Sequence, residues 1–175
     1  TGDAVVASKK LDSDTSSVVV AGTDDPDSLT IDSSLGGANK SLVVTFNGGD
    51  GSDQLSFNGV LALGASDLTV EAERIRLASG QSITTSGDLV LKASAGDTDK
   101  TDDTSAASTK IELLAGSLLQ GADITISASV DVGSILAGTQ SWTNISSVGS
   151  AVVDLAGTIT ASSDLIISST VNNNV

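Results

Sequence analysis

Residues 29–70 read LTIDSSLGGANKSLVVTFNGGDGSDQLSFNGVLALGASDLTV, and this stretch decides the fold. It contains four short segments of the pattern apolar, any residue, apolar, which begin at the evenly spaced Leu29, Leu42, Leu55 and Leu68. Alternation within each segment places its first and third side chains on one face, as a half-buried β-strand requires. Gly and Asn between the segments supply the positive φ that tight corners need. Short strands joined by glycine corners at this constant 13-residue interval predict a β-solenoid.

A longer unit repeats in the second half of the chain. Its three copies begin with Ile75-Arg76-Leu77, Ile111-Glu112-Leu113 and Val153-Asp154-Leu155. Each copy contains three strand-like pieces, which predicts a triangular parallel β-helix whose hand the sequence does not give. Two polar insertions, at 95–109 and 130–149, separate the copies and are predicted to be surface loops, the second of which contains Trp142.

These patterns predict an all-β fold, a parallel β-helix or β-solenoid with Gly, Asn and Asp corners. We expect one elongated domain over 1–175, with the 13-residue strand interval over 1–70 and longer three-strand coils over 71–175. The segment from Asp67 to Leu77 contains the best helix candidate, but the fixed interval favours a strand there. The chain starts at Thr1 rather than Met, which predicts a processed product or an excerpt of a longer polypeptide.

The composition excludes many functions. The 175 residues carry 22 acidic and 8 basic side chains, a net charge of −14, and no His or Cys, so thiol or imidazole nucleophiles, zinc sites and disulfides are excluded. The negative charge argues against nucleic acid as a partner, and no apolar run is long enough for membrane insertion. Aromatic residues make up only 2 %, so the core must be aliphatic, as in a thin repetitive β-structure.

A glycine-rich corner carries the sharpest motif. Residues 48–56, GGDGSDQLS, match every defined position of the calcium-binding nonapeptide G-G-x-G-x-D-x-U-x. At these residues the chain resembles the RTX family of secreted bacterial repeat proteins. The resemblance implies a Ca²⁺ site that includes Gly48, Gly49, Asp50, Gly51 and Asp53.

Calcium takes about six to eight oxygen ligands, so one nonapeptide needs a second turn beside it. The acidic turn that lies two strand intervals earlier would place Asp27 under Asp53 and Asp24 under Asp50. Four carboxylates at one corner would repel one another unless a cation lay between them. This turn lacks two glycines of the family motif. The alternative is therefore a glycine corner whose aspartates cap backbone N–H groups.

A second resemblance rests on strands that each begin after an aspartate. The pieces are Asp67-Leu68-Thr69-Val70, Asp88-Leu89-Val90-Leu91, Asp123-Ile124-Thr125-Ile126 and Asp164-Leu165-Ile166-Ile167. They are similar to the strand repeats of large secreted bacterial adhesins, including filamentous-haemagglutinin-type proteins. Each aspartate is predicted to accept backbone N–H bonds before its strand, rather than to bind metal.

These observations predict a non-enzymatic, calcium-stabilised structural segment of an extracellular bacterial surface fibre or adhesin. Its expected partners are copies of itself, stacked end to end, or neighbouring repeats of a longer chain, because solenoid ends are exposed strand edges. One alternative is a module that binds a glycan or host receptor through the two insertions. A polysaccharide-degrading β-helix is less favoured, because Arg74 and Arg76 are interpreted as an ion-pair face with Glu71 or Glu73.

Overall fold

A computed structural model of the protein describes residues 16–23, 26–35, 42–48, 53–97, 104–133 and 146–174. These residues form fifteen β-strands and one short 3-10 helix, Ser33–Leu35. The strands are β1 Ser17–Ala21, β2 Ser28–Asp32, β3 Leu42–Asn47, β4 Gln54–Asn58, β5 Val60–Ala62, β6 Leu68–Ala72, β7 Arg74–Leu77, β8 Ser82–Thr84, β9 Leu89–Asp97, β10 Thr104–Leu113, β11 Leu118–Gly121, β12 Ile124–Gly133, β13 Ser146–Leu155, β14 Thr158–Ala161 and β15 Leu165–Asn174. In this part of the chain, no helix has both the length and the apolar character needed to cross a membrane.

The strands form three sheets in which every pair is parallel. Sheet A has the order β1-β3-β6-β9-β12-β15, sheet B the order β2-β4-β7-β10-β13, and sheet C the order β5-β8-β11-β14. From β3 onward, successive strands enter sheets A, B and C in strict rotation. The predicted all-β parallel architecture is confirmed to this extent, and the rotation is consistent with a parallel solenoid.

The 13-residue interval proves to be half of a structural repeat. Leu29 pairs with Leu55 in sheet B, whereas Leu42 pairs with Leu68 in sheet A, so consecutive strands of this series lie in different sheets. Strands that are hydrogen-bonded to each other are therefore offset by two intervals in this part of the chain. The sequence pattern does not indicate a third element per repeat, the 3-10 helix and then β5, because β5 buries only its middle residue and the 3-10 helix is not a strand.

The core is a set of aliphatic columns that run through the stack. In sheet A, Leu68, Leu89 and Ile124 lie directly beside one another on neighbouring strands, and all three side chains are fully buried. Side chains from all three sheets join one continuous hydrophobic cluster. Burial of this aliphatic surface is the main stabilising contribution to the fold, and it confirms the predicted dominance of Val, Ile, Leu and Ala in the core.

The two insertions are strands at their ends, which corrects the prediction of surface loops. β9 extends to Asp97 and β10 starts at Thr104, while β12 extends to Gly133 and β13 starts at Ser146. Small residues hid this continuation, because Ala and Ser have low strand propensity. Alternation nevertheless persists, with Ala128 and Val130 buried in β12. The remainder of both insertions, with Trp142, lies outside the described residues.

Candidate functional site

The predicted stack of acidic turns lies at the start of sheet B. Asp27 directly precedes β2 and Asp53 directly precedes β4, and these two strands pair with Ser28 opposite Gln54. The backbone N–H of Asp27 donates to Oδ1 of Asp53 at 2.7 Å. The structure therefore brings these two aspartates together at the predicted offset of two strand intervals.

The carboxylate of Asp27 is bound within its own turn. Its Oδ2 accepts the backbone N–H of Thr23 at 2.6 Å and the Thr23 hydroxyl at 3.1 Å. Both aspartates thus accept backbone N–H groups at a corner, which is the structural role that the sequence left open as the alternative to calcium binding. These bonds hold the turn before β2 and connect it to the turn before β4.

Asp53 has no exposed surface, and a glycine makes this burial possible. A Cβ added to Gly48 would overlap Cγ and Oδ2 of Asp53, so only a residue without a side chain fits there. Gly22 packs on Asp27 in the same way one repeat earlier, since its added Cβ would overlap Oδ2 of Asp27. Each turn therefore combines a closely packed glycine with a carboxylate.

One oxygen of this corner is unsatisfied within the described structure. Oδ2 of Asp53 is buried and has no hydrogen-bond partner among the described residues. A buried carboxylate oxygen without a proton, donor or cation is energetically costly. A cation at this oxygen would remove that cost, so Oδ2 of Asp53 is the atom of the described corner that is relevant to the predicted Ca²⁺ site.

The other predicted ligands lie outside the described residues: Asp24, Gly49, Asp50 and Gly51. Within the part of the chain that the structure describes, no group of three or more Asp or Glu side chains is arranged to hold a metal ion. Calcium binding at this corner therefore stays a prediction.

A second set of aspartates forms a hydrogen-bonded ladder before sheet A. The N–H of Asp88 donates to Oδ1 of Asp67 at 2.9 Å, that of Asp123 to Asp88 at 3.1 Å, and that of Asp164 to Asp123 at 3.0 Å. The carboxylates of Asp67, Asp88 and Asp123 thus accept backbone N–H groups, as predicted, but the donors lie in the next layer rather than in the same turn. The bond from the Asp164 N–H, aided by the side chain of Ser163, holds the pKa of the Asp123 carboxyl below its usual range.

The outer face of sheet B carries ion pairs both within β10 and between neighbouring layers. Glu112 on β10 contacts Arg76 on β7 at 3.1 Å and Lys110 at 2.6 Å, and Lys110 also approaches Asp154 on β13 at 3.6 Å. The hydrogen bond from Lys110 lowers the pKa of Glu112, and the same bond raises the pKa of Lys110. The pairs are partly exposed, so each contributes about 0–1 kcal/mol.

For Arg76 and Glu71, the ion pairs differ from the interpretation drawn from the sequence. Arg76 pairs with Glu112 of the next layer, and Glu71 pairs with Lys92 across sheet A at 3.2 Å. The sequence contained the signal, because alignment of the three longer repeats places Arg76, Glu112 and Asp154 at the same position. The contacts of Arg76 with Glu112 and of Glu71 with Lys92 join neighbouring strands, so proximity along one strand does not indicate them.

Shallow depressions lie near these pairs. One, of about 300 Å³ beside Arg76, is lined by polar side chains such as Thr30, Gln54 and Gln81 and by the apolar Phe57 and Ala78. A second depression, of about 230 Å³, lies at the end of β3 and includes Glu71. Comparison with known proteins identifies no relative: no family model, no curated protein and no solved structure matches this chain.

Proposed function

We propose that the chain is a non-enzymatic structural segment of an extracellular bacterial surface fibre or adhesin, with its strands wound into a β-solenoid. The observation that carries this proposal is the register: parallel strands in three sheets continue the same aliphatic columns and enclose one hydrophobic cluster. Such a stack is stabilised mainly by contacts between neighbouring layers. Further layers can therefore be added through the same kind of contacts.

The size of the stack supports a role as a segment rather than as a whole fibre. In the described residues sheet A has six strands, and a spacing of about 4.8 Å between strands gives about 24 Å along the stacking direction. A fibre would therefore need further layers. The acidic, cysteine-free composition suits a secreted bacterial protein, and the polar outer faces keep the stack soluble.

We expect the chain to unravel layer by layer when it is pulled from both termini. The shortest separation along the chain between residues paired across layers is that of Gln54 and Arg74, and the longest is that of Thr104 and Ser146. At about 3.6 Å per extended residue, the release of single layers gives steps of roughly 7 to 15 nm in single-molecule force spectroscopy. A single event that releases the whole chain at once would contradict the role of a layered load-bearing segment.

We further propose that Ca²⁺ binds at the corner of Asp27 and Asp53 and stabilises the first layers. The buried Oδ2 of Asp53 supports this, because it has no hydrogen-bond partner among the described residues and a cation would compensate for that. The backbone N–H groups of Thr23 and Asp27 bind Oδ2 of Asp27 and Oδ1 of Asp53, so neither of these bonds uses Oδ2 of Asp53. Calcium would then add to a turn that the backbone already shapes.

Thermal melting in Ca²⁺ and in EGTA tests this site. At a calcium concentration about 100-fold above Kd, binding to the folded state alone adds about 2.7 kcal/mol and raises the melting temperature. Asp53→Asn retains an acceptor for the Asp27 N–H but removes the charge, so it should abolish this increase. Asp123→Asn, a matched change in the ladder before sheet A, should retain it. Equal melting temperatures of the unmodified chain in Ca²⁺ and EGTA would refute calcium binding. They would not contradict the layered fold.

A further inference from the structure

The layer formed by β13, β14 and β15 exposes side chains that are buried elsewhere in the stack. Leu165 and Ile167 of β15 are each 46 % exposed, whereas Ile124 and Ile126, their neighbours on β12, are fully buried. Val171, also on β15, is 40 % exposed beside the buried Val130. The aliphatic columns of sheet A therefore end at an uncovered apolar surface.

The opposite edge of sheet A is also open among the described strands. β1 pairs with β3 alone, and β15 pairs with β12 alone. In β1, the Ser16 carbonyl and the Gly22 N–H bind β3, so alternation directs the N–H and C=O of Val19 to the free edge. In β15, the Asp164 carbonyl binds β12, so the backbone groups of Ile167 and Ser169 point to the free edge.

Neither edge strand has the features that prevent strands from associating. β1 reads SVVVA and β15 reads LIISSTVNNN, and neither contains a charged residue or a proline. Exposed edges of natural sheets usually carry such residues, which block pairing with another chain. No like charges would therefore meet within the paired strands, although each chain carries a net charge of −14.

We propose that β15 receives β1 of a second copy of this chain, so that copies stack head to tail and continue sheet A. All six strands of sheet A run in the same direction, so a head-to-tail copy preserves parallel pairing. This inference rests on the proposed structural function and specifies its partner.

The register follows from the columns. Val18 begins the inward column that runs through Val44 and ends at Ile167, so Ile167 lies beside Val18 of the second copy. In this register the N–H of Val19 donates to the Ile167 carbonyl, and the N–H of Ser169 donates to the Val19 carbonyl. The proposal thus predicts which backbone donor each edge supplies.

Two proline substitutions separate the two edges. Val19→Pro and Ser169→Pro each remove an N–H that points to a free edge, and leave the hydrogen bonds within sheet A in place. The matched controls, Val19→Ala and Ser169→Ala, retain the backbone N–H. Ser169→Ala also controls for the loss of the hydrogen bond that the Ser169 hydroxyl donates to the Ala151 carbonyl. Circular dichroism establishes that each variant is folded, and sedimentation velocity over a dilution series measures its mass.

The unmodified chain and both alanine variants should form dimers and longer oligomers as the concentration rises. Each proline variant alone should sediment as a monomer, and an equal mixture of the two should give twice the chain mass and nothing larger, because only one pair of intact edges remains. A monomeric unmodified chain at every concentration would refute the proposal. Dimers of Val19→Pro alone would also refute it, since β15 would then pair with itself. Neither result would alter the layer-by-layer unravelling that tests the structural function.

Discussion

Leu89→Ala should lower the free energy of unfolding by about 3 to 5 kcal/mol, the upper part of the range for a buried leucine. Leu89 is fully buried in the middle of sheet A, between Leu68 and Ile124 on neighbouring strands. Its Cγ also lies only 3.1 Å from the position of a Cβ added to Gly121, so the packing around it is tight. Backbone hydrogen bonds fix the strands on both sides, so the surrounding structure cannot collapse into the cavity.

Leu165→Ala is the matched control, because Leu165 occupies the same column at the open end of the stack. Its side chain is half-exposed and loses less buried surface, so the expected cost is about 1 kcal/mol. Urea denaturation at a concentration where the chain is monomeric measures both values. Equal costs would show that the end of the column is covered in solution, which contradicts the open edge of β15.

The architecture was predictable because the sequence repeats the same side chain at the same place in each layer. The constant spacing of Leu29, Leu42, Leu55 and Leu68 identified four strands, and the Asp-led segments identified the ladder before sheet A. Spacing alone does not assign strands to sheets. A constant interval fits four strands in a single sheet and four strands that alternate between two sheets equally well. Pairing across layers decides between them.

The candidate corner was predictable in position but not in chemistry. The offset of two strand intervals correctly placed Asp27 beside Asp53, since it follows from the strand register. Whether a carboxylate binds a cation or caps the backbone depends on which N–H groups point at it, and that depends on the path of each turn. The Thr23 N–H bond to Asp27 is a feature of this kind, which residue spacing does not specify.

The same limit explains the ion pairs on sheet B. Residues such as Arg76 and Glu112 are distant in the sequence and become neighbours only through the pairing of β7 with β10. Because layers have unequal lengths, a fixed period does not find them. Alignment of the strands themselves does, so cross-strand pairs in a stacked sheet are best sought after the repeats have been superimposed.

Gly48→Ala should destabilise the first layers by about 3 kcal/mol or more, at the upper end of the cost of overpacking. The added methyl would overlap both Cγ and Cβ of Asp53, so the backbone must move and not only a flexible side-chain end. That movement would disrupt the bond from the Asp27 N–H to Asp53. Hydrogen exchange should show faster opening of β1 to β4, while β9 to β12 remain protected, because layers interact mainly with their neighbours.

Gly80→Ala separates this clash from the general effect of replacing a glycine. Gly80 has a positive φ of 76°, which costs an alanine about 1–2 kcal/mol, but no heavy atom outside its immediate neighbours lies within 4 Å of the added Cβ. The two substitutions add the same methyl group, but Gly48 has no positive φ, so its cost comes from the contact with Asp53, whereas the cost at Gly80 comes from the backbone. Equal unfolding free energies for the two variants would show that the turn at Gly48 accommodates the added methyl group at little cost. In that case the close packing of glycine on carboxylate would contribute little to the stability of the first layers.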